Sequence, residues 1–330
     1  MKIKTIRQRW LISVLATAAL LPLHALAQNS IRYPNRAVRL IVPTAPGGAA
    51  DSLARVMAQK LTESWAQQVV VDARAGANGN IGAELLAKSE PDGYTLMMGT
   101  IGVLAINKSL YEKMGYDQLR DYAPVGQLVT FSLLLVANPA LPFTTIPELI
   151  AHAKANPGKL NYGSPGTGGS PHMTMELFAK TADIKLVHIP YKGSAAATTE
   201  VVGGQLQLIF GDPPAALGHV RSGRLRALGI SGPVRLRAAP DIPTIAEAGL
   251  PGFAVTSYLG IVAPARTPAT IVTRINTDIN RITAQADTLT RIDAMGAQPK
   301  TGTPEEFSAL IRSETVRWAK VVADAGLKAQ

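Results

Sequence analysis

Apolar and polar residues follow two spacings along this chain, one typical of buried strands and the other of amphipathic helices. Residues 38–42 form an apolar run, broken once by Arg39, that predicts a buried strand. Leu53, Val56, Met57 and Leu61 then recur at helical spacing and predict a helix with one buried face. Further strands are predicted over residues 68–71, 94–98, 160–162, 186–189, 206–210 and 225–230. Helices between them favour an α/β fold with mostly parallel sheets.

Two apolar runs, residues 125–137 and 255–263, are long for strands and predict crossings between two lobes. Helices predicted over residues 269–283, around Leu289 and over residues 304–323 return the chain to the first lobe, the last opened by a capping box of Thr303 and Glu306. We expect two lobes around a cleft: residues 28–130 with 252–330, and residues 131–251. Hinges are expected near residues 128–134 and 252–258.

A glycine-rich loop joins the first predicted strand to its helix. It contains Pro43, Pro46, Gly47 and Gly48. Glycines let backbone N–H groups approach a ligand, and the first amides of a helix lack intrahelical partners and attract anions. The alternative is a plain strand-to-helix turn. Thr100, just beyond the predicted strand 94–98, lies at the same end of the sheet, where ligands bind in such folds.

A second glycine-rich loop, residues 164–170, repeats this arrangement in the other predicted lobe. Pro171 fits the first turn of the following helix, with Ser170 as its N-cap. An anion clamped between the two loops would receive amide hydrogen bonds from both lobes. Neither loop contains an arginine, so backbone amides and hydroxyls must supply the recognition.

The first 27 residues read as a signal peptide with cleavage after Ala27. Four basic residues precede an apolar stretch, and residues 25–27 have the small-x-small pattern. A membrane anchor is the alternative, but the apolar stretch is short for a span. The whole chain has 33 basic and 23 acidic residues and a net charge of +10. Without the four basic residues of the expected signal peptide, the net charge is +6. The basic residues, densest around Arg221 and Arg224, show no nucleic-acid module.

Several chemistries are excluded or disfavoured by the sequence. The chain has no cysteine, so disulfides and thiolate catalysis are excluded, and its five histidines lack metal-ligand spacing. No cofactor is expected. A serine hydrolase using Ser164 and His172 is an alternative, although residue 162 is Tyr where the nucleophile elbow needs Gly. We interpret His172 as a capping or packing residue and His188 as a core residue.

Taken together in order, these motifs resemble the periplasmic substrate receptors of tripartite tricarboxylate transporters, the Bug-type solute-binding proteins. The resemblance covers essentially the whole chain after the signal peptide. The matching segments are residues 33–34, 41–43, 46–51, 69–71, 76–82, 91–95, 162–178, 190–193, 223–228, 241–252, 263–264 and 267–268.

The resemblance implies a type II periplasmic-binding-protein fold and a small carboxylate ligand held by the two glycine-rich loops. The implied ligand-binding residues are Thr44, Ala45, Gly47 and Gly48 in the first loop and Ser164, Gly166, Thr167, Gly168, Gly169 and Ser170 in the second. Tyr191, Lys192, Gly193 and Asp212 are implied as further wall residues. Family members often have Phe in place of Thr44, and Ser or Thr in place of Gly169, so we expect a pocket of altered size and polarity.

Three functions follow as hypotheses. The first is a receptor that delivers an organic acid to integral-membrane permease subunits, acting as a monomer without an enzymatic activity. The second is the secreted hydrolase, and the third is a periplasmic sensor domain that signals to a partner.

Overall fold

The computed structural model describes residues 33–327, and the expected signal peptide lies outside this range. Of these, residues 33–35 belong to one unit and residues 36–327 to another, which contains all the strands and helices named here. Its strands are β1 Val38–Val42, β2 Val69–Ala73, β3 Thr95–Thr100, β4 Tyr122–Phe131, β5 Leu134–Ala137, β6 Asn161–Ser164, β7 Val187–Pro190, β8 Leu208–Gly211, β9 Arg226–Ile230, β10 Ser257–Pro264 and β11 Ala297–Pro299.

Ten α-helices lie among the described residues. They are α1 Ala49–Trp65, α2 Asn80–Ala87, α3 Asn107–Leu110, α4 Ile146–Ala155, α5 Ser170–Ala182, α6 Ser194–Val202, α7 Pro213–Arg221, α8 Ala269–Thr283, α9 Ala286–Ala294 and α10 Pro304–Ala325. A π-helical turn, Gly102–Ile106, precedes α3. Thr303 and Glu306 form the predicted capping box at the start of α10. Across residues 33–327, none of the helices combines the length and apolar character that a membrane span requires.

Two sheets organise the chain, as the predicted two-lobed α/β fold requires. The first has strand order β11-β4-β10-β3-β1-β2, and the second has the order β7-β6-β8-β5-β9. β1 runs parallel to β2 and β3, and β6 runs parallel to β7 and β8. The remaining neighbours are antiparallel because β4, β5 and β10 carry the chain between the lobes.

The predicted crossing at residues 125–137 is confirmed, but it is two strands rather than one. β4 belongs to the first sheet and β5 to the second, with Ser132 and Leu133 between them. The return crossing lies just before β10, which is entirely in the first sheet. There Val255 donates its N–H to the Ser231 carbonyl in the second lobe, and Ser257 pairs with Phe131. The two connections therefore run side by side.

The hydrophobic spacing places the core face of α1 correctly. Leu53, Met57 and Leu61 are buried, and Val56 is half-buried. Burying such aliphatic side chains supplies roughly 1.5–3 kcal/mol each. Because α1 is fixed against the sheet by this face, its N-terminus is held at the carboxyl end of β1, beside the cleft.

Several predicted boundaries were wrong by a few residues. Thr100 ends β3 instead of following it, because β10 pairs with that strand up to Thr100. Ser164 is the last residue of β6, where it pairs with Pro190. The N-cap of α5 is Gly169, and Ser170 is the first helical residue, without a side-chain capping bond.

Candidate functional site

A cleft of about 1020 Å³ lies between the two sheets. Its walls come from the segments that follow β1, β2, β3, β6, β7 and β8. These segments leave the carboxyl ends of strands in both lobes, where ligands bind in open α/β sheets. The volume suits a small molecule.

Twelve of the fifteen candidate residues line this cleft. They are Thr44, Ala45, Gly48, Thr100, Gly166, Thr167, Gly169, Ser170, Tyr191, Lys192, Gly193 and Asp212. Gly47, Ser164 and Gly168 do not line it. The structure therefore brings both glycine-rich loops to one cleft, although three of their residues do not line it.

The first loop presents a polar side chain without a protein partner. The Thr44 hydroxyl oxygen is buried, and no hydrogen-bond partner for it exists among the described residues. The neighbouring Gly47 has a positive φ of 89°, and its N–H donates to Asp51 Oδ2 at 3.1 Å. The Gly47 amide thus stabilises the turn, and the Thr44 hydroxyl is left without a hydrogen-bond partner among the described residues.

The carboxyl of Asp212 lies beside the start of α1, where a Cβ on Gly48 would be 3.1 Å from Asp212 Oδ2. Asp212 is the N-cap of α7 in the second lobe, and its Oδ2 accepts a hydrogen bond from the Ser194 hydroxyl at 2.6 Å. Burial raises the pKa of Asp212, and the hydrogen bond from Ser194 opposes the rise. A carboxyl of the protein itself therefore lies close to the N-terminus of α1.

The second loop is braced by its own side chains. The Ser164 hydroxyl donates to the Gly166 carbonyl at 3.0 Å and accepts from the Gly166 N–H at 3.2 Å. Gly168, with a φ of +87°, donates its N–H to His172 Nδ1 at 3.0 Å. His172 thus caps an amide of the loop, as its interpretation as a capping residue requires. The groups left facing the cleft are the Thr167 and Ser170 side chains and the remaining first-turn backbone.

Two histidines stack behind this loop. The ring centroids of His172 and His188 are 4.0 Å apart, and Tyr162 stacks on His188 at 4.9 Å. Burial, helped by the neighbouring His188, lowers the pKa of His172 to about 3, and burial lowers the pKa of His188 to about 4. Both rings are therefore neutral near pH 7. Since His172 Nδ1 accepts a hydrogen bond, its proton lies on Nε2.

The serine–histidine pair of the hydrolase alternative is not formed. Ser164 Oγ lies 2.6 Å from His188 Nε2, not against His172. Ser164 is fully buried and does not line the cleft. This geometry suits a structural hydrogen bond that holds the loop.

A third loop, residues 75–79, also lines the cleft, and the sequence reasoning did not select it. Asn78, with a φ of +51°, donates from Nδ2 to Asn107 Oδ1 at 2.6 Å, and Asn107 Nδ2 donates back to the Asn78 carbonyl at 3.1 Å. Gly79 passes so close to Pro43 that a Cβ would lie 3.0 Å from the Pro43 carbonyl oxygen. The sequence did contain a sign of this third loop, because glycines at every third position follow β2. The end of β2 lies beside the end of β1, where the first loop begins.

The cleft contains few charged side chains. Among its described lining residues, Lys192 is the one lysine and arginine is absent, while Glu176 and Asp212 are the acids. Apolar walls include Ile101, Phe131 and Leu259. The arrangement can hold an anionic group through amides and hydroxyls, with an apolar body packed beside it.

Two α/β lobes, adjacent crossing segments and a cleft at the strand ends define a two-lobed binding protein of the type II periplasmic class. The sequence model described as "Tripartite tricarboxylate transporter family receptor" matches residues 53–327. The chain belongs to this receptor family.

Three relatives agree with this assignment. The protein BugT of Bordetella pertussis is 38% identical over 297 residues, which are 90% of this chain and 91% of BugT. The structure of Rpa4515 from R. palustris with adipate has a TM-score of 0.87 and 35% identity, covering 90% of this chain and 99% of that one. The structure of MatC from Rhodopseudomonas palustris with bound malate has a TM-score of 0.82 and 30% identity, covering 88% of this chain and 100% of MatC.

Proposed function

We propose that this protein captures a small organic acid between its lobes and delivers it to the permease subunits of a tripartite tricarboxylate-type transporter. The observation that carries the proposal is the unpartnered, buried Thr44 hydroxyl, which shares one cleft with the start of α5 and the hydroxyls of Thr167 and Ser170. A ligand anion would satisfy these groups together. The adipate and malate complexes of two relatives support a carboxylate as that anion.

The carboxylate binds at the second loop in this proposal. The amide of Gly47 in the first loop is bonded to the carboxyl of Asp51, and the carboxyl of Asp212 lies beside Gly48, whereas α5 begins at the cleft with Ser170. The N-terminus of a helix carries a partial positive charge, which favours an anion there. Lys192 adds the one nearby ammonium, and Thr44 reaches the ligand from the opposite lobe.

Export and partnership follow from the receptor role. The signal peptide, residues 1–27, is cleaved off after Ala27. The remaining protein acts in the periplasm as a monomeric receptor without catalysis. The membership in a transporter-receptor family supports a permease partner. Mass spectrometry of the exported protein should give an N-terminus at Gln28, and retention of Met1 would contradict cleavage.

Thermal-shift measurement against a set of acids tests the ligand class. Adipate, malate, citrate and benzoate are compared with adipamide, the neutral diamide that matches adipate in length. A ligand at 100 times its Kd adds about 2.7 kcal/mol of stability, so a true ligand raises the melting temperature clearly. We expect at least one acid to do so and adipamide to have no effect. If adipamide stabilised the protein as strongly as adipate, carboxylate recognition would be refuted.

Uptake measurements test the transport role. Deletion of the gene should abolish uptake of the acid identified by thermal shift, and the intact gene supplied on a plasmid should restore it. Unchanged uptake in the deletion strain would contradict delivery to a permease, even if the purified protein binds the acid.

A further inference from the structure

The side-chain amide of Asn78, which lines the cleft, has a defined orientation. Asn107 Nδ2 donates to the backbone carbonyl of Asn78 at 3.1 Å and to Asn80 Oδ1 at 2.6 Å. A backbone carbonyl can only accept, so the Asn107 amide must present its nitrogen there and its oxygen on the other side. Asn78 Nδ2 is therefore the atom that donates to Asn107 Oδ1 at 2.6 Å, and Asn78 Oδ1 points away from Asn107.

The network behind Asn78 holds this orientation. Asn107 is fully buried, and the Tyr116 hydroxyl donates to Asn80 Oδ1 at 2.9 Å. Turning the Asn107 amide over would place its oxygen against the Asn78 carbonyl, an unfavourable contact between two acceptors. Asn78 has a φ of +51°, a left-handed conformation that asparagine tolerates better than most residues. The oxygen of Asn78 is thus directed by the fold rather than by a ligand.

Asn78 Oδ1 lies beside the second glycine-rich loop. A Cβ on Gly169 would be 3.2 Å from this oxygen, so the absence of a side chain at Gly169 leaves the oxygen uncovered. The two nearest amides of the loop have other partners: the Gly168 N–H donates to His172 Nδ1, and the Gly169 N–H donates to the Gly166 carbonyl. Among residues 33–327, no donor is hydrogen-bonded to Asn78 Oδ1. A free acceptor of the first lobe therefore lies at the start of α5.

This acceptor restricts the ligand that fits there. A carboxylate bound at the start of α5 has only acceptor oxygens, which cannot bond Asn78 Oδ1. The nearest donor that such a ligand can carry is a hydroxyl or ammonium group on the carbon next to the carboxylate. A plain methylene at that place would cover the oxygen without satisfying it, which is costly for a polar group. Glu176, further along α5 in the same cleft, adds a second acceptor.

We propose that Asn78 is a specificity-determining residue, which selects acids with a hydrogen-bond donor on the carbon next to the carboxylate. The ligand class is thus a 2-hydroxy or 2-amino acid. This inference rests on the proposed function, because it takes the start of α5 as the carboxylate position. Asn107 is the positioning residue that turns the Asn78 oxygen towards the ligand.

Calorimetry with matched pairs of acids tests the selection. The pairs are malate with succinate, lactate with propionate, and glutamate with glutarate, and the members of each pair differ only in the hydroxyl or amino group. In at least one pair, we expect the donor-bearing acid to bind about fivefold or more tightly than its partner. The hydroxy and amino pairs show which donor is preferred. Equal or weaker binding by the donor-bearing acid in every pair would overturn the inference.

Two variants assign the preference to Asn78. Asn78→Gly removes the amide and tolerates the positive φ, so the preference should fall to within about twofold. Gly169→Ala keeps Asn78 but covers its oxygen, and its φ of −68° and ψ of 161° suit alanine, so it should lose the preference as well. Asn156→Gly, at the end of α4 and outside the cleft lining, is the matched control and should keep the preference.

Circular dichroism establishes which variants are folded. An unchanged preference in whichever of Asn78→Gly and Gly169→Ala folds would overturn the role of Asn78. If succinate, propionate or glutarate bound as tightly as its partner, carboxylate capture would stand and the selection by Asn78 would fail. If no acid bound at all, the proposed function itself would fail, so the two failures are distinguishable.

Discussion

Ser231 bonds Val255 twice: its carbonyl accepts the Val255 N–H at 2.7 Å, and its hydroxyl donates to the Val255 carbonyl at 2.8 Å. Ser231 also forms two hydrogen bonds with Leu133. Its N–H donates to the Leu133 carbonyl at 2.9 Å, and its hydroxyl accepts the Leu133 N–H at 2.9 Å. Leu133 lies in the first crossing segment and Val255 in the second. One buried serine therefore ties together the two connections between the lobes.

Removal of this hydroxyl should destabilise the protein. Ser231→Ala leaves the Leu133 N–H and the Val255 carbonyl without their buried partner, which costs about 1–3 kcal/mol. Urea unfolding should show a lower midpoint with an unchanged slope. Ser222→Ala is the control because the Ser222 hydroxyl is exposed and bonds only to residues nearby in sequence, donating to the His219 carbonyl and accepting from Arg224 Nε. Equal midpoints for the two variants would contradict the role of Ser231.

Stability should fall in mild acid because of the stacked histidines. The pKa of His172 is lowered to about 3 in the folded state, against about 6.5 when unfolded. Below pH 6.5 the His172 side chain takes up a proton in the unfolded state but not in the folded state. The contribution of His172 to the free energy of unfolding is therefore fully present above pH 6.5 and declines as the pH falls towards 3. His172 alone accounts for about 2 kcal/mol between pH 6.5 and 5.

Urea unfolding at pH 7 and pH 5 measures this effect. His172→Gln has no titratable group and should lose less stability between the two pH values than the parent protein does. His152→Gln, on α4 and away from the stacked pair, should keep the parent's pH dependence. The same loss in His172→Gln as in the parent would show that the buried ring is not the cause.

The cleft hydroxyls should determine affinity. Thr44→Val, Thr167→Val and Ser170→Ala each remove one group that can donate to a carboxylate, and such a bond contributes roughly 1.5–3 kcal/mol. Calorimetry with the acid that the thermal-shift measurement identifies should show each variant binding about tenfold or more weakly. Thr181→Val, on the exposed side of α5, and Arg221→Gln, on the surface, should bind normally. Normal binding by all three cleft variants would place the carboxylate elsewhere.

Two glycines with similar backbones should differ in their sensitivity to substitution. Gly47 and Gly168 have φ of +89° and +87°, so alanine strains both. At Gly168 the new Cβ would lie 2.4 Å from Leu110 Cδ1 in the opposite lobe, whereas at Gly47 the nearest atom, Ala195 Cβ, is 3.6 Å away. Gly168→Ala should therefore weaken binding of the acid identified by thermal shift more than tenfold, and Gly47→Ala should weaken it less. Calorimetry that ranks them in the opposite order would contradict this.

Much of the fold was predictable because burial leaves a local signature. The apolar spacing of α1, the run that became β1 and the capping box at Thr303 depend on residues close in sequence. The two glycine-rich loops were found for the same reason: a strand, glycines and a helix follow one another directly. Their placement at one cleft followed from the rule that such loops leave the carboxyl ends of parallel strands.

The sequence by itself determined which residues are strands, helices and glycine turns, and which faces are buried. Only the tertiary structure decided the partners: that Ser164 meets His188 instead of His172, that Asp212 accepts the Ser194 hydroxyl, and that residues 125–137 divide between two sheets. The spacing of apolar residues encodes the direction of a side chain relative to the core, but not the segment that lies opposite. That choice depends on the packing of whole lobes, and it therefore becomes visible only when distant parts of the chain are brought together.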